Sequence, residues 1–149
     1  RVPDTGMTSP GAPSWNEWRL VKIPTINLTD FSNLAKPFHW PWGPIDMQFE
    51  LLPGNLDESL IANVRVVPFV GEMSFVIRFD KGDWDHSGGT LEPGELYLDA
   101  VRRELSEEAG AELRSFTPFG VFICHSHRTE AYRPHLPHPD FIHWSGTLG

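Results

Sequence analysis

Apolar positions follow two different periods along this chain. Residues 63–70 (NVRVVPFV) and 73–79 (MSFVIRF) are short runs dense in β-branched and aromatic side chains, which predicts strands. Gly71-Glu72 between them is a two-residue turn with glycine first, which predicts a hairpin. Pro68 cannot donate to a ladder, so it predicts an edge position or a bulge. Residues 45–52 alternate weakly and predict a strand ended by Pro53-Gly54, and residues 55–61 predict a single helical turn. A polar loop over 80–88 follows, and then the period changes. Leu98, Val101 and Leu105 recur at i, i+3 and i+7, an apolar stripe on a helix. Pro93-Gly94 turns the chain into that helix, and Glu95 in its first turn suits the macrodipole. Gly110 stands where a left-handed C-terminal residue is expected, so the helix is predicted over 95–109. Residues 113–125 predict one or two strands broken near Pro118. Residues 128–140 form a loop rich in Pro and His, residues 141–144 a last short strand, and residues 145–149 trail off. Strands, one helix and strands again predict an α/β or α+β sandwich.

The first third reads differently. Residues 1–13 hold Pro3, Pro10 and Pro13 with Gly6 and Gly11, and predict a flexible leader. Residues 14–149 are predicted as a single domain, whose N-terminal part (14–62) is an arm rich in aromatics. Trp15, Trp18, Trp40, Trp42, Phe31 and Phe38 crowd the stretch before residue 43. Aromatics at this density pack on a core or line a binding face. The arm is expected to lie on the domain, within one subunit or across a homodimer. Thr29 or Asp30 is a candidate cap for a short helix through Leu34, stopped by Pro37.

Composition narrows the function. Of 149 residues, 40% are hydrophobic and 21% charged, a globular balance. The net charge of −8 argues against binding nucleic acid or anionic membrane through the bulk field, so a phosphate ligand has to be held by local cations or by metal. Cys124 is the single cysteine, which excludes an internal disulfide; its neighbours Val121, Phe122 and Ile123 predict a buried strand thiol. With no apolar run of membrane-spanning length and no visible signal peptide, a reducing, cytoplasmic setting is expected.

The chemistry gathers in residues 89–111. Glu104, Glu107 and Glu108 stand at i, i+3 and i+4, which puts three carboxylates on one helix face. Unpaired, they repel; a hard cation that seeks oxygen ligands removes that cost. A solvated acidic face is the plain alternative, but it explains neither Arg103 nor the spacing of Gly89 and Glu95 from the cluster.

The stretch resembles the Nudix box: Gly, five residues, Glu, seven residues, then Arg-Glu-aliphatic-any-Glu-Glu-any-Gly-aliphatic. Here those positions are Gly89, Glu95, Arg103, Glu104, Leu105, Glu107, Glu108, Gly110 and Ala111, the last small for its place. The resemblance implies a Nudix-like α/β/α sandwich with a mixed β-sheet and the box as loop-helix-loop. It implies a Mg²⁺-dependent (or Mn²⁺-dependent) pyrophosphohydrolase, acting on a nucleoside diphosphate linked to another moiety. By position, Glu104, Glu107 and Glu108 are then the metal ligands and Glu108 the first choice of general base. Gly88 or Gly89 lends a backbone carbonyl, Arg103 orients, and Glu95 supports. In some relatives a downstream glutamate is the base, and Glu130 is the acidic residue so placed here. His86 stands where many members have proline, a local departure at the entry to the metal loop.

Two readings compete with the enzyme. One is a catalytically silent Nudix-like module that senses a nucleotide or sugar diphosphate; the intact glutamates argue against it. The other is a metal-binding or scaffold protein built on the histidines. His125 and His127, two apart on a strand, are expected to point to one face, toward a metal or a phosphate. No carboxylate or cysteine is spaced nearby to complete a zinc site, so a pocket wall or a partly exposed position is expected for them. Nothing outside the box identifies the substrate's second group.

Overall fold

A computed structural model describes residues 31–40, 43–51, 56–71, 73–79 and 82–148. The leader, most of the aromatic arm, Trp15, Trp18 and the capping Thr29 and Asp30 lie outside these residues, and with them the expectation of a packed arm.

Six strands form one mixed sheet. They are β1 (Phe38–Trp40), β2 (Ile45–Leu51), β3 (Ile61–Val67), β8 (Gly88–Thr90), β9 (Phe116–Ser126) and β10 (Asp140–Leu148), in the order β1-β2-β9-β10-β3-β8. Only β10 and β3 run parallel. Small two-stranded ribbons, β4 (Phe69–Val70) with β5 (Met73–Ser74) and β6 (Ile77–Arg78) with β7 (Trp84–Asp85), stand between β3 and β8 in the chain. Among the described residues the one α-helix is α1 (Tyr97–Ala109). The fold is α+β: a mixed sheet with the helix on one face.

The core explains the pairing. Val64 and Val66 of β3, Val121 of β9 and Val101 and Leu105 of α1 are all 0–1% exposed and pack together with Ile61, Ala100 and Ile142. Burying each such side chain contributes about 1.5–3 kcal/mol. The predicted stripe is therefore right in Val101 and Leu105, while Leu98 is only partly buried and Ala100 takes a core position. α1 ends as expected, through left-handed Gly110 (φ 61°), whose N–H bonds the Ser106 carbonyl.

Several boundaries differ from the sequence reading. The predicted long hairpin is split. Its tip exists, since Phe69 and Val70 pair with Ser74 and Met73 around Gly71 at φ +62°, but residues 61–67 belong to the large sheet. Pro68 marks the break, because it offers no N–H to continue the ladder. β9 is one continuous strand: Pro118 is absorbed by a register shift opposite Ser145 and Gly146, where β9 carries one residue more than β10. Residues 145–148 do not trail off; they continue β10 between β9 and β3. The helix opens two residues late, at Tyr97, because Glu95 is engaged elsewhere. The helical turn at 55–61 is a 3-10 turn, Glu58–Leu60, capped by Asp57, which accepts from the Ser59 N–H at 3.0 Å.

Candidate active site

Gly88 and Gly89 open β8 at the site, and α1 lies across them. Each glycine is required for a different reason. A Cβ on Gly88 would strike the Val64 carbonyl and Arg65 Cα; a Cβ on Gly89 would overlap the Glu104 carboxylate. The sheet face under the helix thus leaves one pocket of backbone, and Glu104, only 9% exposed, fills it.

Arg103 organises the acids. Its Nε and Nη2 donate to the two oxygens of Glu95 at 2.8 and 2.9 Å, a bidentate fork. Nη1 donates to Glu104 at 2.7 Å and lies 3.4 Å from Glu107, and Nη2 also reaches the Thr90 carbonyl at 3.2 Å. Glu95 accepts besides from the Glu92 N–H at 2.8 Å. The Arg103 fork, and secondarily that N–H, hold the Glu95 carboxyl below the usual carboxylate range, against the opposing effect of burial. Glu95 is therefore an anchor for Arg103 in the loop before the helix. Thr90 and Glu92 are site members that the one-dimensional reading did not single out; they contribute backbone groups, which leave no side-chain signal.

The three box glutamates behave differently. Glu104 faces Gly89. Glu108 accepts from the Gly88 N–H at 3.0 Å. Glu107 is exposed and turned toward Arg103. Among the described residues no three His, Cys, Asp or Glu side chains converge as a preformed metal centre. The donor set still suits a hard divalent ion: carboxylate oxygens beside the backbone of two glycines. Glu130 is exposed in the loop after β9, and none of the described hydrogen bonds or ion pairs ties it to the helix.

A cavity of about 290 Å³ adjoins this centre. Thr90 and Asn63 form one wall, with the Asn63 amide donating to the Thr90 hydroxyl at 3.2 Å. Trp40, Ile45, Ser126, Arg128, Tyr132, His138 and Phe141 stand around the rest. Arg128 lies 6.0 Å from the Tyr132 ring. His135 in the same loop bonds the Leu91 carbonyl at 2.9 Å.

A profile of the NUDIX domain matches residues 60–145, more than half of the chain. The chain belongs to the Nudix family. The Nudix box is the loop and helix just described, and Gly88-Gly89 with α1 is its scaffold. Over 40 residues the chain is 50% identical to the nucleoside triphosphatase NudI of Escherichia fergusonii, which is 26% of this chain and 28% of that protein. The crystal structure of a point mutant of the Bacillus subtilis pyrophosphohydrolase BsRppH is similar in fold, with a TM-score of 0.58 and 17% identity, over 76% of this chain and 64% of that one. The chain thus spans less than two thirds of the length of either.

The remaining candidates from the sequence lie off the box. His125 and His127 do share a face, with ring centroids 4.7 Å apart, and both are about half exposed. Each has a carboxylate partner from another strand, with no third ligand converging among the described residues: His125 Nδ1 bonds Asp140, and His127 Nε2 lies 2.7 Å from Asp46, 81 residues away in the chain. Cross-strand pairing supplies these partners, which sequence spacing does not show. Cys124 is free and buried as expected, and burial pushes its thiol up to about 12. No helix among the described residues is long and apolar enough to cross a membrane.

Proposed function

We propose that this chain is a divalent-metal-dependent hydrolase that cleaves the pyrophosphate bond of a nucleoside diphosphate linked to another moiety, with Mg²⁺ as the natural ion and Mn²⁺ a substitute. The observation that carries this reading is the approach of Glu104 and Glu108 to Gly88 and Gly89 of β8, in a box with every specified position filled. Glu104, Glu107 and Glu108 with a glycine carbonyl would hold the ion. When bound, the ion shields phosphate charge and lowers the pKa of its water.

The chain's own residues do the rest. Glu108 takes the proton of the attacking water on its carboxylate. Arg103, braced by Glu95, keeps Glu104 against Gly89 and balances the acids when they stand together. The cavity beside Thr90 takes the nucleoside: Trp40 and Tyr132 offer faces for stacking, Asn63 and Ser126 offer hydrogen bonds, and Arg128 offers a cation for phosphate. This is how a chain of net charge −8 accepts an anion, through local positive groups.

The test is a panel of nucleoside diphosphate derivatives and nucleoside triphosphates incubated with Mg²⁺, Mn²⁺ or EDTA. Release of phosphate-containing products with metal, and none with EDTA, is expected. Tight binding by calorimetry without turnover of any compound would make the chain a sensor module instead.

A further inference from the structure

Asp46 lies on the face of the sheet opposite the cavity, yet it joins three segments of the cavity wall. Register puts His39, Asp46, His125 and Asp140 in one row across β1, β2, β9 and β10. In-register residues share a face, and their chain neighbours lie on the other. Trp40, Ile45 and Ser126 form that neighbouring row, and all three line the cavity. Both oxygens of Asp46 are engaged: one lies 2.8 Å from His39 Nδ1, the other 2.7 Å from His127 Nε2. These hydrogen bonds, His127 first and His39 second, hold the Asp46 carboxyl below its ordinary range. His39 directly precedes Trp40, and His127 directly precedes Arg128. The His127 N–H also bonds the Pro44 carbonyl at 2.7 Å, at the start of the Asp46 strand.

The bracket matters because β1 has little else. It is a three-residue edge strand with all side chains exposed, paired to β2, and its ring contact to the body of the sheet is Phe38 on Phe122 at 6.2 Å. We infer that Asp46 is a positioning residue for the cavity: its carboxylate clamps His39 and His127, and so sets the distance between Trp40 and Arg128 that a nucleoside must match. The inference rests on the reading of the cavity as the nucleoside subsite.

Asp46→Leu, Asp46→Asn and Arg128→Ala are compared with the unaltered chain, with thermal melting as the check on folding. The binding probes are AMP, GMP, CMP, UMP and TMP, titrated one by one with Mg²⁺, and inorganic pyrophosphate, which has no base to place. Asp46→Leu should weaken the best-bound nucleotide about fivefold, the worth of a lost hydrogen-bonded clamp, and weaken pyrophosphate, which engages Arg128 but has no base for Trp40, by less than about twofold. On the matching diphosphate derivative, KM should rise by that factor while kcat stays within about twofold. Asp46→Asn, whose amide donates to one imidazole and accepts from the other, should return affinity to within about twofold of the unaltered chain. A folded Asp46→Leu that binds nucleotide normally, or an Asp46→Asn as weak as Asp46→Leu, overturns the clamp. If Asp46→Leu binds normally while Arg128→Ala loses affinity, the subsite stands and the clamp alone is wrong. If no nucleotide binds and Arg128→Ala is silent, the subsite itself is wrong and the clamp falls with it.

Discussion

At the scale of single residues, three chemically identical glutamates have three environments. Glu104 is buried against backbone, Glu108 is held by an amide, and Glu107 is in solvent. Their spacing puts them on one helix face but leaves their rotamers open; Gly89, Gly88 and Arg103 decide those. Replacing Glu108 with Gln keeps a carbonyl for the Gly88 N–H and removes the proposed base. Turnover should fall ~10²–10⁴-fold with Tm nearly unchanged, measured at saturating Mg²⁺. Glu130→Gln, altering an exposed loop acid, should stay within about threefold. The reverse pattern would move the base to the loop after β9. The box letters were readable in the chain; the choice between Glu108 and Glu130 became arguable once one was seen bonded to Gly88 of β8 and the other in solvent.

At the scale of elements, the site is a contact between β8 and α1, and the two glycines of β8 set how close they come. Gly88 meets backbone, which cannot yield, whereas Gly89 meets a carboxylate, which can swing away. Gly88→Ala should therefore cost stability, about 1–3 kcal/mol by overpacking, read as a lower urea midpoint. Gly89→Ala should melt closer to the unaltered chain yet lose at least about tenfold in metal-dependent turnover, because Glu104 is displaced. A Gly89→Ala protein with normal turnover would mean that Glu104 has no part in the chemistry. The same scale explains the misread strands. Pro118 looks like a break in a single strand; within a sheet, a register shift against β10 absorbs it.

At the scale of the whole molecule, burial of one histidine links stability to acid. His143 in β10 faces Phe122 at 6.1 Å, and its Nε2 is out of solvent with no hydrogen-bond partner among the described residues. Burial first, and the nearby Arg65 second, bring its pKa down to about 4, with Asp85 opposing. The unfolded chain takes up that proton near the ordinary imidazole value of about 6.5, so between these values the unfolded state binds more protons and acid favours unfolding. Stability from this group is full above about pH 6.5 and is lost progressively down to about 4. Urea unfolding at pH 7 and 4.5 should show the unaltered chain losing about 2–3 kcal/mol more than His143→Phe; equal losses would mean that the ring protonates without hindrance in the native state. Sequence alone determined the helix, its C-terminal cap, most of its apolar stripe, the shared face of the glutamates and the family, because these depend on residues within a few turns of each other, where spacing is geometry. Tertiary structure alone decided which histidines meet which aspartates, where the cavity opens, and which glutamate is buried. Those contacts join residues up to 81 positions apart through sheet register, and register is set by the packing of the whole core, which no local spacing encodes.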